Sequence, residues 1–277
     1  MKVAIIGAGT VGASLISMLR DPSRSAALHE AVGDDLEIVG VAVRDASKLR
    51  PGVPSELISN NPMELVERSD VDIVVELAGG VDEAYTYVKT ALESGKSVVT
   101  ANKALIAAKG TELETIARRE NVDLIFEAAV GGGIPILRAL RTSLVGEKIH
   151  RVMGIVNGTT NFILSAMTSD GASYDDVLAE AQRLGYAEAD PTADVEGYDA
   201  AAKVTILAAL SFGTPLVGAT IAREGISRIS ADDVAFATRH GYAIKLIGVA
   251  ERVGEHGISM RVHPVMLPTS HPLASIN

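Results

Sequence analysis

From the N-terminus, short apolar runs of strand length alternate with stretches whose apolar positions recur at helical spacing. Residues 2–6 are apolar after Lys2 and lead into Gly7-Ala8-Gly9-Thr10-Val11-Gly12, beyond which Leu15, Ile16 and Leu19 mark a helix. A second strand is predicted over 36–43, delayed by a polar insert over 22–35. Residues 71–77 read as a buried strand ending in Ala78-Gly79-Gly80, and a helix over 82–94 is closed by Gly95. A strand over 97–100, a helix over 111–119 and a strand over 123–127 complete the series. This alternation predicts an α/β fold with a Rossmann-type, doubly wound parallel sheet.

Beyond Pro135 the alternation is lost. The pattern gives a helix over 136–144, a strand over 149–156, helices over 162–167 and 174–184, and an ordered loop over 185–198 broken by Pro191 and Gly197. An almost wholly apolar helix follows over 199–213, then an unassigned stretch over 221–228, a helix over 231–239 and strands over 243–252 and 258–262. His263-Pro264 and His271-Pro272 read as turn residues in an ending with no closing element. The expected organisation is a nucleotide-binding domain over 1–134 and an α+β domain over 135–277.

Composition narrows the chemistry. The 277 residues, 47% of them hydrophobic, can build two ordinary domains. A net charge of −10 with no basic block argues against a nucleic-acid partner. The lack of cysteine excludes disulfides, thiolate metal sites and a thiol nucleophile, and it fits a reducing cytoplasm. No run is long and apolar enough for a bilayer span, and the N-terminal run lacks a signal-peptide cleavage site. A membrane partner is therefore not expected.

Strand, Gly-x-Gly-x-x-Gly and helix in succession point to a dinucleotide. Gly7 permits the tight turn, Gly9 lets backbone approach a pyrophosphate, and Gly12 lets helix and strand close up, with Thr10 and Val11 beside the anion. Ala78 and Gly79 at the end of one strand and Lys103 just after another sit where such sheets bind ligands. Arg44 stands where a strictly NAD-binding protein carries an acid, which suits a 2′-phosphate and hence NADP, with NAD still open. Asp45 weakens that reading, and a solvated basic turn is the alternative.

Three further segments carry candidate chemistry. The stretch 128–135, with Gly131, Gly132, Gly133 and Pro135, frees carbonyls that could ligate a hard cation, or it is a tight inter-domain connection. Asn157-Gly158-Thr159-Thr160-Asn161 offers hydroxyls and amides, or merely a helix cap by Thr159 or Thr160. The stretch 185–203 places Glu188, Asp190, Asp194, Glu196 and Asp199 ahead of Lys203. Asp199 and Lys203 share one helix face at i and i+4, either as a surface ion pair or as a lysine held in a pocket.

Taken together, Gly-Ala-Gly-Thr-Val-Gly (7–12), Thr-Ala-Asn-Lys (100–103), Glu-Ala-Ala-Val-Gly-Gly-Gly-Ile-Pro (127–135), Asn-Gly-Thr-Thr-Asn (157–161), Gly-Tyr-Ala-Glu-Ala-Asp-Pro (185–191) and Gly-Tyr-Asp-Ala-Ala-Ala-Lys (197–203) resemble the homoserine dehydrogenases. The resemblance spans the whole chain in order, and its last four segments are the specific ones. It implies the reversible reduction of L-aspartate 4-semialdehyde to L-homoserine by NAD(P)H, within threonine, methionine and isoleucine biosynthesis. Lys203 and Lys103 would be catalytic, and Glu188 and Asp199 would bind substrate and help proton transfer. Gly158, Thr159, Tyr186 and Asp194 would lie near the substrate, and Gly185 would contact the cofactor. Glu127, Val130, Gly132 and Ile134 would hold a monovalent cation, sodium, largely through carbonyls. A homodimer built on the second domain is implied too. Family chains continue past His-Pro-Leu-Ala, and many add a threonine-binding regulatory domain, so a fragment is the expectation here.

The residues suit that chemistry. A hydride reaching an aldehyde carbon leaves an alkoxide, which a lysine ammonium can protonate and stabilise. A free lysine has a pKa of ~10.4, so burial or a neighbouring cation such as Lys103 would have to lower it. Two other classes remain: a non-catalytic NADP sensor, and a different NAD(P)-dependent oxidoreductase for a small amino or hydroxy acid. A phosphorylating semialdehyde dehydrogenase is excluded by the absent cysteine.

Overall fold

Strand β1 (Lys2–Ile6) runs between β2 (Glu37–Ala42) and β4 (Ile73–Glu76), parallel to both. With β3 (Ile58–Ser59), β5 (Ser97–Thr100) and β6 (Leu124–Ile125) they form one parallel sheet of order β3-β2-β1-β4-β5-β6. Parallel strands are covered on both faces, which is why Val3, Ala4, Ile5 and Ile6 are all apolar and all buried. The computed structural model describes residues 1–215, 221–254 and 257–277. They fall into two compact units, Met1–Ile136 and Leu137–Asn277.

In the first unit the helices are α1 (Thr10–Arg20), α2 (Pro22–Val32), α3 (Pro62–Glu67), α4 (Asp82–Glu93) and α5 (Lys103–Glu120). Ile16 of α1 joins Val3, Ile5, Val41 and Val43 in a core over the sheet. The order of the strands reverses between β1 and β4, which opens a crevice at their carboxyl ends. Two expectations are corrected. The polar insert is helix α2, started by Asp21, whose side chain accepts from the Ser23 and Arg24 amides, and stopped by Gly33. It has no buried residue, so it shows no apolar stripe. Helix α5 begins at Lys103 rather than at residue 111, because Asn102 caps it and Gly110 sits buried inside it.

A short turn, α6 (Ile136–Arg138), and a π-helical turn over Ala139–Ser143 replace the regular helix expected over 136–144. The second unit carries β7 (Arg151–Gly154), α7 (Gly158–Asp170), α8 (Tyr174–Leu184), α9 (Thr192–Val195) and α10 (Tyr198–Phe212). After them come β8 (Ala222–Arg223), α11 (Ala231–Arg239), β9 (Tyr242–Val253) and β10 (Gly257–Pro268). The sheet order is β7-β9-β10-β8, antiparallel except for the β10–β8 pair. The 263–268 stretch is strand rather than turn. It pairs with β9 on one side only, and prolines are tolerated on such an edge because a missing ladder donor costs least there. Residues Pro272–Ser275 form a 3-10 turn capped by the His271 ring.

Helix α10 is almost wholly apolar beyond Lys203 and is buried on most of its surface. It lies on the sheet with Val204, Ala208 and Phe212 against Ile244, Leu246, Ala250 and Val262. The alternate β9 residues Ile247 and Val249 turn to the other face, where Met153, Ile155 and Val265 form a smaller apolar cluster. Gly248 is what lets α10 sit so close: a Cβ there would stand 2.4 Å from Val204 Cγ2.

Gly248→Val should therefore destabilise the protein by about 1–3 kcal/mol in urea unfolding, since a β-branched neighbour cannot swing aside. Adding Val204→Ala should recover part of that loss. A cost below about 0.5 kcal/mol would show that the seat has room.

Candidate active site

The crevice of the first unit is built by two glycines that tolerate no substitution. Gly7 has φ +103, and a Cβ on it would lie 2.6 Å from the Leu77 carbonyl carbon. A Cβ on Gly12 would lie 2.2 Å from Gly7 O. Gly9 faces open space instead, and it precedes α1 without any side-chain cap. The first amides of α1, those of Thr10, Val11 and Gly12, have no intrahelical partner and carry the positive end of the helix dipole. The cavity beside this turn measures about 720 Å³ and is lined by Gly7, Ala8 and Gly9 together with Arg44, Lys48, Arg50, Ala78 and Gly79, whereas Thr10, Val11 and Gly12 do not line it. Asp45 does not line it. Its carboxylate accepts from Ser47 N at 3.0 Å and Ser47 Oγ at 2.6 Å, and the Ser47 hydroxyl holds it below the usual carboxylate range. These features fit a dinucleotide: open backbone for a pyrophosphate and cations at the end of β2.

A fully buried carboxylate, Glu76, secures the floor of this crevice, and sequence reasoning missed it. Its Oε1 accepts from Ala78 N at 2.9 Å and Gly79 N at 3.1 Å, and its Oε2 accepts from Thr100 Oγ1 at 2.7 Å. Thr100 Oγ1 in turn accepts from Asn102 N at 2.9 Å, and Asn102 Nδ2 donates to Gly80 O at 2.7 Å. The ends of β4 and β5 are thereby tied together, with half-buried Lys103 opening α5 beside them. A Glu inside a run of valines reads as a strand end, so no sequence signal marked its task.

In the second unit, Lys203 and Asp199 form a largely buried pair at 2.6 Å, with side-chain exposures of 18% and 7%. Lys203 Nζ also donates to Val156 O at 2.9 Å. An ammonium has three donors, so these two bonds to described residues leave one N–H over. Asp199 Oδ2 accepts as well from Asn157 Nδ2 at 2.9 Å, and the same amide donates to Asp194 Oδ1 at 2.7 Å. Thr159 Oγ1 lies 3.2 Å from Asp194 Oδ2 and 2.8 Å from Tyr186 O. The fold thus brings Thr159, Tyr186, Asp194, Asp199 and Lys203 into one network, from four separate elements. The Tyr186 ring is half out in solvent and stacks on Phe162 with centroids 4.7 Å apart.

Other residues are used differently. The cap of α7 is Asn157 rather than Thr159 or Thr160, with Gly158 as the first helical residue. Gly185 ends α8 in the left-handed conformation. The Glu188 side chain is exposed and stands apart from the network among the described residues, while its carbonyl accepts from Gln182 Nε2 at 3.1 Å. Lys245 is a second missed residue. It is 3% exposed and donates to Asn161 Oδ1 at 3.0 Å, Ser165 Oγ at 2.8 Å and the Ile276 carbonyl, and burial lowers its pKa.

The segment 127–134 makes a 3-10 turn and then a tight reversal closed by Ile134 N donating to Gly131 O at 2.7 Å. Gly131 and Gly133 both have positive φ. The carbonyls of Val130 and Gly132 meet no backbone N–H of a described residue. That donor set fits a hard cation held by carbonyls. No group of three or more His, Asp or Glu among the described residues is placed to hold a metal.

The fold and its crevice define a Rossmann-type dinucleotide-binding protein with a separate α+β domain that buries a lysine–carboxylate network. Residues 7–127 match the family model for the homoserine dehydrogenase NAD-binding domain, and residues 135–277 match that for homoserine dehydrogenase itself. The chain belongs to the homoserine dehydrogenase family. The homoserine dehydrogenase of Corynebacterium glutamicum is 53% identical over 279 residues, covering 99% of this chain and 62% of that protein. The crystal structure of a homoserine dehydrogenase from Thiobacillus denitrificans matches with a TM-score of 0.95 at 45% identity, covering 100% of this chain and 64% of that one. A hyperthermophilic archaeal homoserine dehydrogenase in complex with NADPH matches with a TM-score of 0.79 at 30% identity, covering 99% of this chain and 84% of that one. The chain thus spans less than two thirds of the length of the first two.

Proposed function

We propose that this chain carries the cofactor crevice and catalytic groups of a homoserine dehydrogenase. The reaction is the reversible, NAD(P)H-dependent reduction of L-aspartate 4-semialdehyde to L-homoserine, a step toward threonine, methionine and isoleucine, run in the cytoplasm. The observation that carries the reading is the Lys203 ammonium, fixed by Asp199 and the Val156 carbonyl with one N–H to spare. A reduced nicotinamide, when bound, supplies the hydride. Lys203 delivers a proton to the developing alkoxide and removes it in the reverse direction. Asp199 aims the ammonium. Asp194 and Glu188 provide acids for the substrate's ammonium group, and Gly158, Thr159 and Tyr186 border it. Lys103 and Gly185 keep the catalytic and cofactor roles that the family resemblance gives them. Family membership and the semialdehyde's charges support this assignment over a non-catalytic sensor. A turnover assay of this chain with NADPH and aspartate semialdehyde tests it, and NADPH binding without turnover would overturn it.

In the same reading, NADP is preferred. Arg44, Lys48 and Arg50 line the crevice, whereas Asp45 is spent on Ser47. Arg44→Ala should weaken NADPH binding and leave NADH nearly untouched in fluorescence titrations. Equal losses would remove Arg44 from 2′-phosphate recognition.

The carbonyls of Val130, Gly132 and Ile134, with Glu127, hold a monovalent cation, sodium in our reading. At constant ionic strength, replacing sodium by choline should lower Tm, and Glu127→Ala should shrink that difference. Identical melting in both salts would argue against the site. A homodimer built on the second unit is the matching assembly in this reading.

Lys203→Ala should reduce kcat by about 10²–10⁴-fold while NADPH still binds. Lys203→Arg should not rescue, because a guanidinium does not act as a base. A merely structural lysine predicts a lower Tm, near-parental kcat in the folded protein and partial rescue by arginine, so kcat and Tm measured on both variants separate the two roles.

A further inference from the structure

Asn157 does more than cap a helix. It is 5% exposed, and all four of its amide hydrogen-bonding places are filled. Oδ1 accepts from Thr160 N at 2.8 Å and Thr160 Oγ1 at 2.9 Å. Nδ2 donates one hydrogen to Asp194 Oδ1 at 2.7 Å and the other to Asp199 Oδ2 at 2.9 Å. The orientation of the amide follows from its partners. Carboxylates accept and a backbone N–H donates, so a flipped amide would set oxygen against oxygen and N–H against N–H.

Asp194 and Asp199 belong to different helices, α9 and α10, and like charges held side by side repel. A neutral group with two donors joins them without adding charge. Among the described residues, the charged groups bonded to Asn157 are Asp194 from α9 and Asp199 from α10, and Asp199 in turn holds Lys203. We propose that Asn157 is a positioning residue whose two amide hydrogens clamp Asp194 and Asp199 into one acceptor pair, so that Asp199 aims Lys203 while Asp194 is held for the substrate. The proposal rests on the reading of Lys203 as proton donor.

The test exploits an asymmetry between capping and clamping. Asn157→Asp keeps the acceptor that caps α7, and aspartate caps as well as asparagine does. It loses both donors and sets a third carboxylate against the other two. Capping alone therefore predicts parental kcat for this variant, whatever the third carboxylate costs in Tm. Clamping predicts a kcat lower by about 10–10²-fold, the scale of a misplaced catalytic group, with NADPH affinity unchanged. Clamping also predicts a lower Tm that Asn157→Asp/Asp194→Asn partly regains, because the double variant restores the 157–194 donor–acceptor pair with the roles exchanged while position 157 still sets a carboxylate against Asp199. Should Asn157→Asp fail to fold, Asn157→Ser retains a cap and can join at most one carboxylate, so the same fall in kcat is expected. A kcat within about twofold of the parent in the folded variant overturns the proposal, and so do Tm changes that simply add in the double variant. A parent protein without turnover defeats the functional reading instead, and the Tm cycle still decides whether the clamp exists.

Discussion

A carboxylate and an ammonium enter an apolar core only when their attraction and their remaining hydrogen bonds offset the loss of water. Helix α10 meets that condition with Asp199 and Lys203, and much of the second unit follows from it. The loop between β7 and α7 must bring the Val156 carbonyl and the Asn157 amide to the pair. Asn157 must then be N-cap of α7, and its second hydrogen draws in Asp194 from α9. Val204, one residue past Lys203, is seated on Gly248 of β9, which fixes how close the helix approaches the sheet. The polar network and the apolar seat are two sides of one helix placement.

The first unit obeys a constraint of space rather than charge. Gly7 and Gly12 touch backbone where a methyl group would go, so strand, turn and helix close up tightly beside a crevice lined by Gly7, Ala8 and Gly9. The charge that secures the neighbouring loops, Glu76, has no ionic partner in its described contacts. Two backbone amides and a threonine hydroxyl satisfy it. Lys245 is its mirror in the second unit, a buried ammonium held by an amide oxygen, a hydroxyl and a main-chain carbonyl. In both cases neutral groups do the solvating, and each charge ties together elements far apart in the chain.

Periodicity located most of the elements because it reflects burial directly. Helices α8 and α11 lie over the residues their apolar spacing predicts, and β1, β4 and β5 lie within their apolar runs. It failed where burial was absent or shared. Helix α2 buries nothing, and the edge half of β10 carries prolines, so neither shows the expected period.

The sequence by itself determined the glycine turn, the alternation of β1, α1, β2, β4, α4, β5, α5 and β6 in the first unit, and the i, i+4 pairing of Asp199 with Lys203. All of these are local, set by backbone freedom or by spacing along one element. Only the tertiary structure decided that the pair is buried, that Asn157 stands between two carboxylates, and that Glu76 fastens the crevice floor. It also decided that Asp45 turns to Ser47, which leaves Arg44 lining the crevice. The reason is that a polar side chain's partners are selected by which distant backbone and amide groups arrive beside it once the core has closed. Residue type fixes how many hydrogen bonds such a group needs, and the fold fixes which groups supply them.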